Sequence, residues 1–109
     1  MAYDDTLSII QRRQIEVPLD IDDIRLTLEL PEGAKVVHFG FYRGSTLGLW
    51  YSCPKLEAPP TREYVFQIVR TTAARPSPPF PMVADHRGTV VTNDDDALHL
   101  LELRKQPNQ

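Results

Sequence analysis

Arg70, Thr71 and Thr72, followed by Arg75, stand on one side of a proline-rich segment, and Asp85, His86 and Arg87 stand on the other. Arginine forks, threonine hydroxyls and loop amides are donors that suit phosphate oxygens. Trp50, Tyr42 and Phe80 offer rings on which a base can stack. Together these residues suit a small anionic ligand. The same residue types are also ordinary strand-surface residues, and that plainer account stands beside the functional one.

Other chemistries find less support. His38, His86 and His99 are far apart in sequence, and their spacing fits no standard metal motif. Asp20, Asp22 and Asp23 lack the glycine and the closing bidentate glutamate of a calcium loop. They read as turn residues, as do Asp94, Asp95 and Asp96. Cys53 precedes a proline and reads as a small apolar filler. There is no Gly-x-Ser-x-Gly and no glycine-rich phosphate loop before a helix. The expectation is therefore a protein that is not an enzyme and needs no metal or cofactor.

A chain of 109 residues is long enough for one domain with one modest core. With 41% hydrophobic and 25% charged residues, it has globular rather than disordered composition. A formal charge of -3 provides no global field for long nucleic acid. A single cysteine excludes an internal disulfide and suits a reducing cytosol. The first ten residues lack the pattern of a secretory leader, and no segment reaches membrane-spanning length. Ten prolines against five glycines favour short strands and rigid loops.

The elements that must position the candidate residues follow from period-two alternation. Residues 36–53 read as a hairpin with its tip at Arg43, Gly44 and Ser45, where Gly44 supplies φ > 0. In its first arm Val37, Phe39 and Phe41 form an apolar row. In its second arm Leu47, Leu49, Tyr51 and Cys53 do the same. Trp50 shares the opposite face with Gly48 and Ser52, which leaves space above it for a strand, a subunit or a ligand. Residues 7–19 read as an edge strand ending at Pro18, with a short amphipathic helix as the alternative. Residues 24–30 alternate as a half-buried strand. Residues 62–72 are apolar on both faces and predict an internal strand. Residues 73–81 hold four prolines and predict an extended crossing loop. Residues 82–92 resume β character with an interruption at Arg87 and Gly88, and residues 97–103 form the last strand. The sum is a mainly β fold: a single antiparallel sandwich or barrel-like domain of about seven short strands with little helix. It spans residues 7–103, between a frayed start at 1–6 and a polar tail at 104–109. Open sheet edges and an exposed aromatic face predict a homo-oligomer.

Several short pieces resemble a domain-of-unknown-function family of small phage and prophage proteins. They are the turn Leu30-Pro31-Glu32-Gly33-Ala34-Lys35, the pair Leu49-Trp50, the strand Arg62-Glu63-Tyr64-Val65-Phe66 and the ending Ala97-Leu98-His99-Leu100-Leu101-Glu102. Where that family carries Gly-Thr-Gly-His, this chain has Arg70-Thr71-Thr72-Ala73, so no role of that glycine pair or histidine carries over. The resemblance implies a phage-type accessory protein acting in the host cytoplasm. With the Arg/Thr/aromatic cluster, it gives the expectation of a non-enzymatic module that sequesters a small anionic ligand, such as a nucleotide signal of host defence. The pocket would lie between subunits near Arg70, Thr72, His86 and Arg87. The alternative is a structural or protein-interaction accessory: a virion component, or an inhibitor docking on a host protein.

Overall fold

A computed structural model of the chain describes residues 7–71, 82–93 and 96–105. Seven antiparallel strands account for its regular structure: β1 (Ser8–Ile15), β2 (Asp23–Pro31), β3 (Lys35–Tyr42), β4 (Thr46–Pro54), β5 (Thr61–Arg70), β6 (Met82–Asn93) and β7 (Asp96–Lys105). They form a three-stranded sheet in the order β1-β4-β3 and a four-stranded sheet in the order β2-β5-β7-β6. The mainly β, sandwich-like class read from the alternation is the observed one.

The alternation dictates what each strand buries. Leu47, Leu49, Tyr51 and Cys53 point inward from β4, and Leu28 and Leu30 do so from β2. Phe66 and Ile68 of β5 meet Leu98 and Leu100 of β7 in the same core. Removing each such side chain from water stabilises the fold by about 1.5–3 kcal/mol. β5 lies between β2 and β7, as its two apolar faces require, and Val69 is buried along with Ile68.

Four local readings change, the first being β5, which ends at Arg70 before a turn at Thr71 rather than at residue 72. β1 ends at Ile15 rather than running to Pro18, and it is a strand, not a helix. Val37 does not join the row of Phe39 and Phe41. A register shift between Val36 and His38 inserts one extra residue, so Val36 packs inward and Val37 is 54% exposed. A single-residue bulge exchanges the two faces of a strand, which simple alternation cannot anticipate. β7 continues through Arg104 and Lys105, beyond the expected end of the last strand. The interruption read at Arg87 and Gly88 is a second irregularity, between His86 and Gly88. The crossing loop expected at residues 73–81 lies outside the described residues.

The sheets meet differently at their two sides. β3 packs closely on β6, where Gly88 lies against Phe39. On the other side, among the described residues, β1 pairs only with β4, and β2 only with β5. One side-chain bond crosses from β1 to β2 there: Arg13 Nη1 donates to the Glu29 carbonyl at 3.0 Å. Inward-pointing Gln11 and Arg13 make β1 an edge strand that carries polar groups on its core-facing side.

Candidate functional site

The residues expected to form one anion pocket are found in separate places. Arg70 ends β5, and its side chain is 15% exposed. It donates to the carbonyls of Leu19 at 2.6 Å and Ile21 at 2.9 Å, and it pairs with the carboxylates of Asp22 and Asp96. Its fork is therefore engaged in fastening the β1–β2 connection to the start of β7. Thr72, Arg75 and Phe80 lie outside the described residues.

Thr71 and His86 do come together, through two residues that the sequence reading had not joined to them. His86 and Thr89 on β6, with His99 on β7, share the outer face of the four-stranded sheet, where Thr89 is paired directly with His99. Thr89 Oγ1 stands 2.8 Å from His86 Nε2 and 2.8 Å from His99 Nδ1. His99 Nε2 stands 3.0 Å from Thr71 Oγ1, which donates to the Ala97 carbonyl. With the Thr71 proton on that carbonyl, His99 Nε2–H donates to Thr71. Thr89 then donates to His99 Nδ1 and accepts from His86 Nε2–H. With both rings neutral, the chain of donors is satisfied from end to end. A hydroxyl between two imidazoles resembles a nucleophile beside its base. Its hydrogen bonds are exposed on the sheet surface.

Trp50 and Tyr42 lie on the outer face of the other sheet. The space predicted above Trp50 is filled by neighbouring rings of the same chain. His38 lies over Gly40, and Tyr42 lies over Gly48, the cross-strand partner of Gly40. Their ring centroids stand 5.0 Å and 6.0 Å from that of Trp50. Arg12 covers the Tyr42 ring at 4.0 Å, and the Tyr42 hydroxyl donates to Gln14 Oε1 at 2.9 Å. Exposed Ile10 and Val37 stand on β1 and β3 of this sheet. The two glycines provide a floor on which the rings lie, and the result is a half-buried aromatic patch.

Arg87 belongs to a fourth place, a cleft where the β2–β3 turn meets β5 and the β6 irregularity. Lys35, Arg62 and Arg87 line this cleft of about 410 Å³ with Val36, Tyr64 and Glu102. Arg62 stacks on the Tyr64 ring at 4.0 Å. The Tyr64 hydroxyl donates to the Pro31 carbonyl and accepts from the Ala34 amide, which fixes the turn carrying Lys35. Arg87 Nε donates to Glu102 at 3.0 Å and its guanidinium stands 3.7 Å from Asp85. Asp85 also accepts from Arg104, whose hydrogen bond holds the carboxyl below the usual carboxylate range; slight burial opposes this. Three cations thus face one carboxylate in the cleft, and among the described residues Lys35 and Arg62 have no acidic partner. Sequence reasoning missed both. The available signal was Arg62 two residues before Tyr64, which places the cation and the ring on one strand face.

Cys53 is buried, in keeping with its reading as a filler. Among the described residues no group of three or more His, Cys, Asp or Glu side chains is placed to hold a metal ion. Among them, too, no helix is long and apolar enough to cross a membrane.

The family described as "Domain of unknown function (DUF7352)" matches residues 10–109. No curated protein and no solved structure matches the chain.

Proposed function

We propose that this chain, which belongs to the DUF7352 domain family, is a non-enzymatic binding module for a small anionic ligand, held in the cleft of Lys35, Arg62 and Arg87. The observation that carries this reading is a pair of cations without an acidic partner among the described residues, beside an arginine that Glu102 already orients. Arginine forks and a lysine ammonium suit a phosphate or carboxylate group. Stacking on Tyr64 holds the Arg62 guanidinium plane without using its donors. In the phage setting suggested by the sequence resemblance, the module acts in the host cytoplasm and sequesters a nucleotide signal of host defence.

Isothermal calorimetry with a panel of mono-, di- and cyclic nucleotides tests this. The expected result is saturable binding, weakened roughly tenfold or more by Arg62→Ala or Lys35→Ala, as loss of a charged hydrogen bond implies. Absence of binding below millimolar concentration sinks the reading.

A second reading, a protein-interaction accessory, is favoured by the patch of Trp50, Tyr42 and His38 with exposed Ile10 and Val37 nearby. Such a face suits a further subunit or a host protein. It predicts tolerance of Arg62→Ala and Arg87→Ala, with loss of association on Trp50→Ala.

A further inference from the structure

The seven strands nearly encircle one core, and the side between β1 and β2 is left open. Among the described residues β1 is hydrogen-bonded as a strand only to β4, and β2 only to β5. Each therefore turns a row of backbone donors and acceptors toward the other without meeting it. A cleft of about 490 Å³ separates them, lined by Arg13, Gln14, Ile15 and Glu16 on one side and by Leu26, Thr27 and Leu28 on the other. Ile15 and Leu28 are 3% and 8% exposed, so the cleft has core residues at its walls. Neighbouring strands lie about 4.8 Å apart, and two unpaired edges with a cleft between them are the place for an intervening strand. At present a side chain stands in for that strand, with Arg13 reaching the Glu29 carbonyl.

We propose that the β1–β2 cleft is a docking site for an extended peptide segment of a partner protein, added as an eighth strand. Its backbone pairs with the free edge of β2, of β1, or of both. Alternate side chains face inward. One is apolar and covers Ile15 and Leu28. The next is a carboxylate that accepts from Arg13, which exchanges a carbonyl for a charge-assisted pair. Arg13 has no acidic partner among the described residues, and this fixes the sign of the inward charge on the guest. The site is independent of the Lys35–Arg62–Arg87 cleft, and each reading can fail without the other.

The test uses the full chain and a synthetic peptide, acetyl-Thr-Val-Thr-Asp-Thr-Val-Thr-amide, which presents Val, Asp and Val on one face. Amide spectra of isotope-labelled protein are expected to shift saturably at residues 11–15 and 25–29. N-methylation of alternate peptide residues keeps the side chains but removes donors, and it is expected to weaken binding at least tenfold. Replacing Asp by Lys in the peptide is expected to weaken binding to the native chain, and Arg13→Glu is expected to reverse that preference. Arg13 is exposed, so an unchanged urea midpoint will show that the variant folds. No shift at millimolar peptide overturns the proposal, as does indifference to N-methylation. Concentration-dependent shifts at the same amides without peptide also overturn it, because the occupant is then a second copy of this chain.

Discussion

Gly88 lies against Phe39 so closely that a Cβ built on it would stand 2.8 Å from the Phe39 Cβ and 3.4 Å from its amide nitrogen. This contact joins β6 to β3 on the closed side of the fold. Its partner atoms belong to the start of a side chain and to backbone, so neither can swing away. Gly88 also follows the irregularity in β6. Gly88→Ala is expected to destabilise the domain by about 1–3 kcal/mol, the range for overpacking. Urea unfolding measures it, and a change below about 0.5 kcal/mol contradicts the contact.

The Arg70 cluster separates structure from recognition. Its guanidinium satisfies two carbonyls and meets two carboxylates. Arg70→Ala leaves those acceptors without their donor, at a cost of about 3 kcal/mol for so enclosed a group. Arg70→Lys is expected to recover only part of it, because one ammonium cannot span four acceptors in a fixed fork. Chemical denaturation gives the stability, and nucleotide calorimetry on the lysine variant gives the other half. Binding unchanged alongside lowered stability is the expected pattern.

The same residue shows what the sequence could and could not disclose. The alternation of Ile24, Leu26, Leu28 and Leu30, and of Leu47, Leu49, Tyr51 and Cys53, made two strands and their core faces legible. The two apolar faces at Tyr64 to Val69 placed β5 inside its sheet. These are local patterns, and burial acts on them directly. Val37 was misread because one extra residue between Val36 and His38 shifts the phase, and the bulge carries no glycine or proline to announce it. Arg70 and Arg87 were legible as cations, but Asp22, Asp96 and Glu102 reach them from other parts of the chain, while Asp85 stands two residues from Arg87. The pairing of Lys35 with Arg62 in one cleft depends on how the β2–β3 turn docks on β5, a contact fixed by the Tyr64 hydroxyl. Thr89 and His99 became neighbours only through the register of β6 on β7.

Two groups give opposite pH dependences. Burial pushes the Tyr51 phenol above its ordinary value; Cys53 adds to this, and Arg13 opposes it. The phenol donates to Gln11 Oε1 at 3.0 Å, a bond that needs its proton. A raised value in the folded state means that the contribution is present below about pH 10 and is lost as pH rises through the folded value. Asp85 is the reverse. The Arg104 hydrogen bond lowers it, so its contribution is present above about pH 4 and is lost as pH falls through the folded value. Urea midpoints for Tyr51→Phe and Asp85→Asn, measured against pH, are expected to converge on the native curve at the alkaline and acid ends respectively. Parallel curves across the whole range refute the assignment.

The chain from His86 to Thr71 makes a prediction about protons rather than energies alone. With its proton on the Ala97 carbonyl, Thr71 has only lone pairs to offer His99. The proton of neutral His99 therefore sits on Nε2, and Nδ1 accepts from Thr89. Thr89 has one proton and has given it to His99, so His86 must carry its own on Nε2. Long-range nitrogen–proton correlation spectra at neutral pH are expected to show this tautomer for both rings. Thr89→Val removes the central hydroxyl at nearly constant volume and leaves two ring nitrogens without their partner. Both bonds are exposed and water replaces the hydroxyl, so the expected cost is below about 1 kcal/mol, with the His99 resonances moving toward a mixture of tautomers. Should His99 carry its proton on Nδ1 in the native chain, the direction of every bond in the series reverses, and Thr71 must then donate to the ring instead of to Ala97.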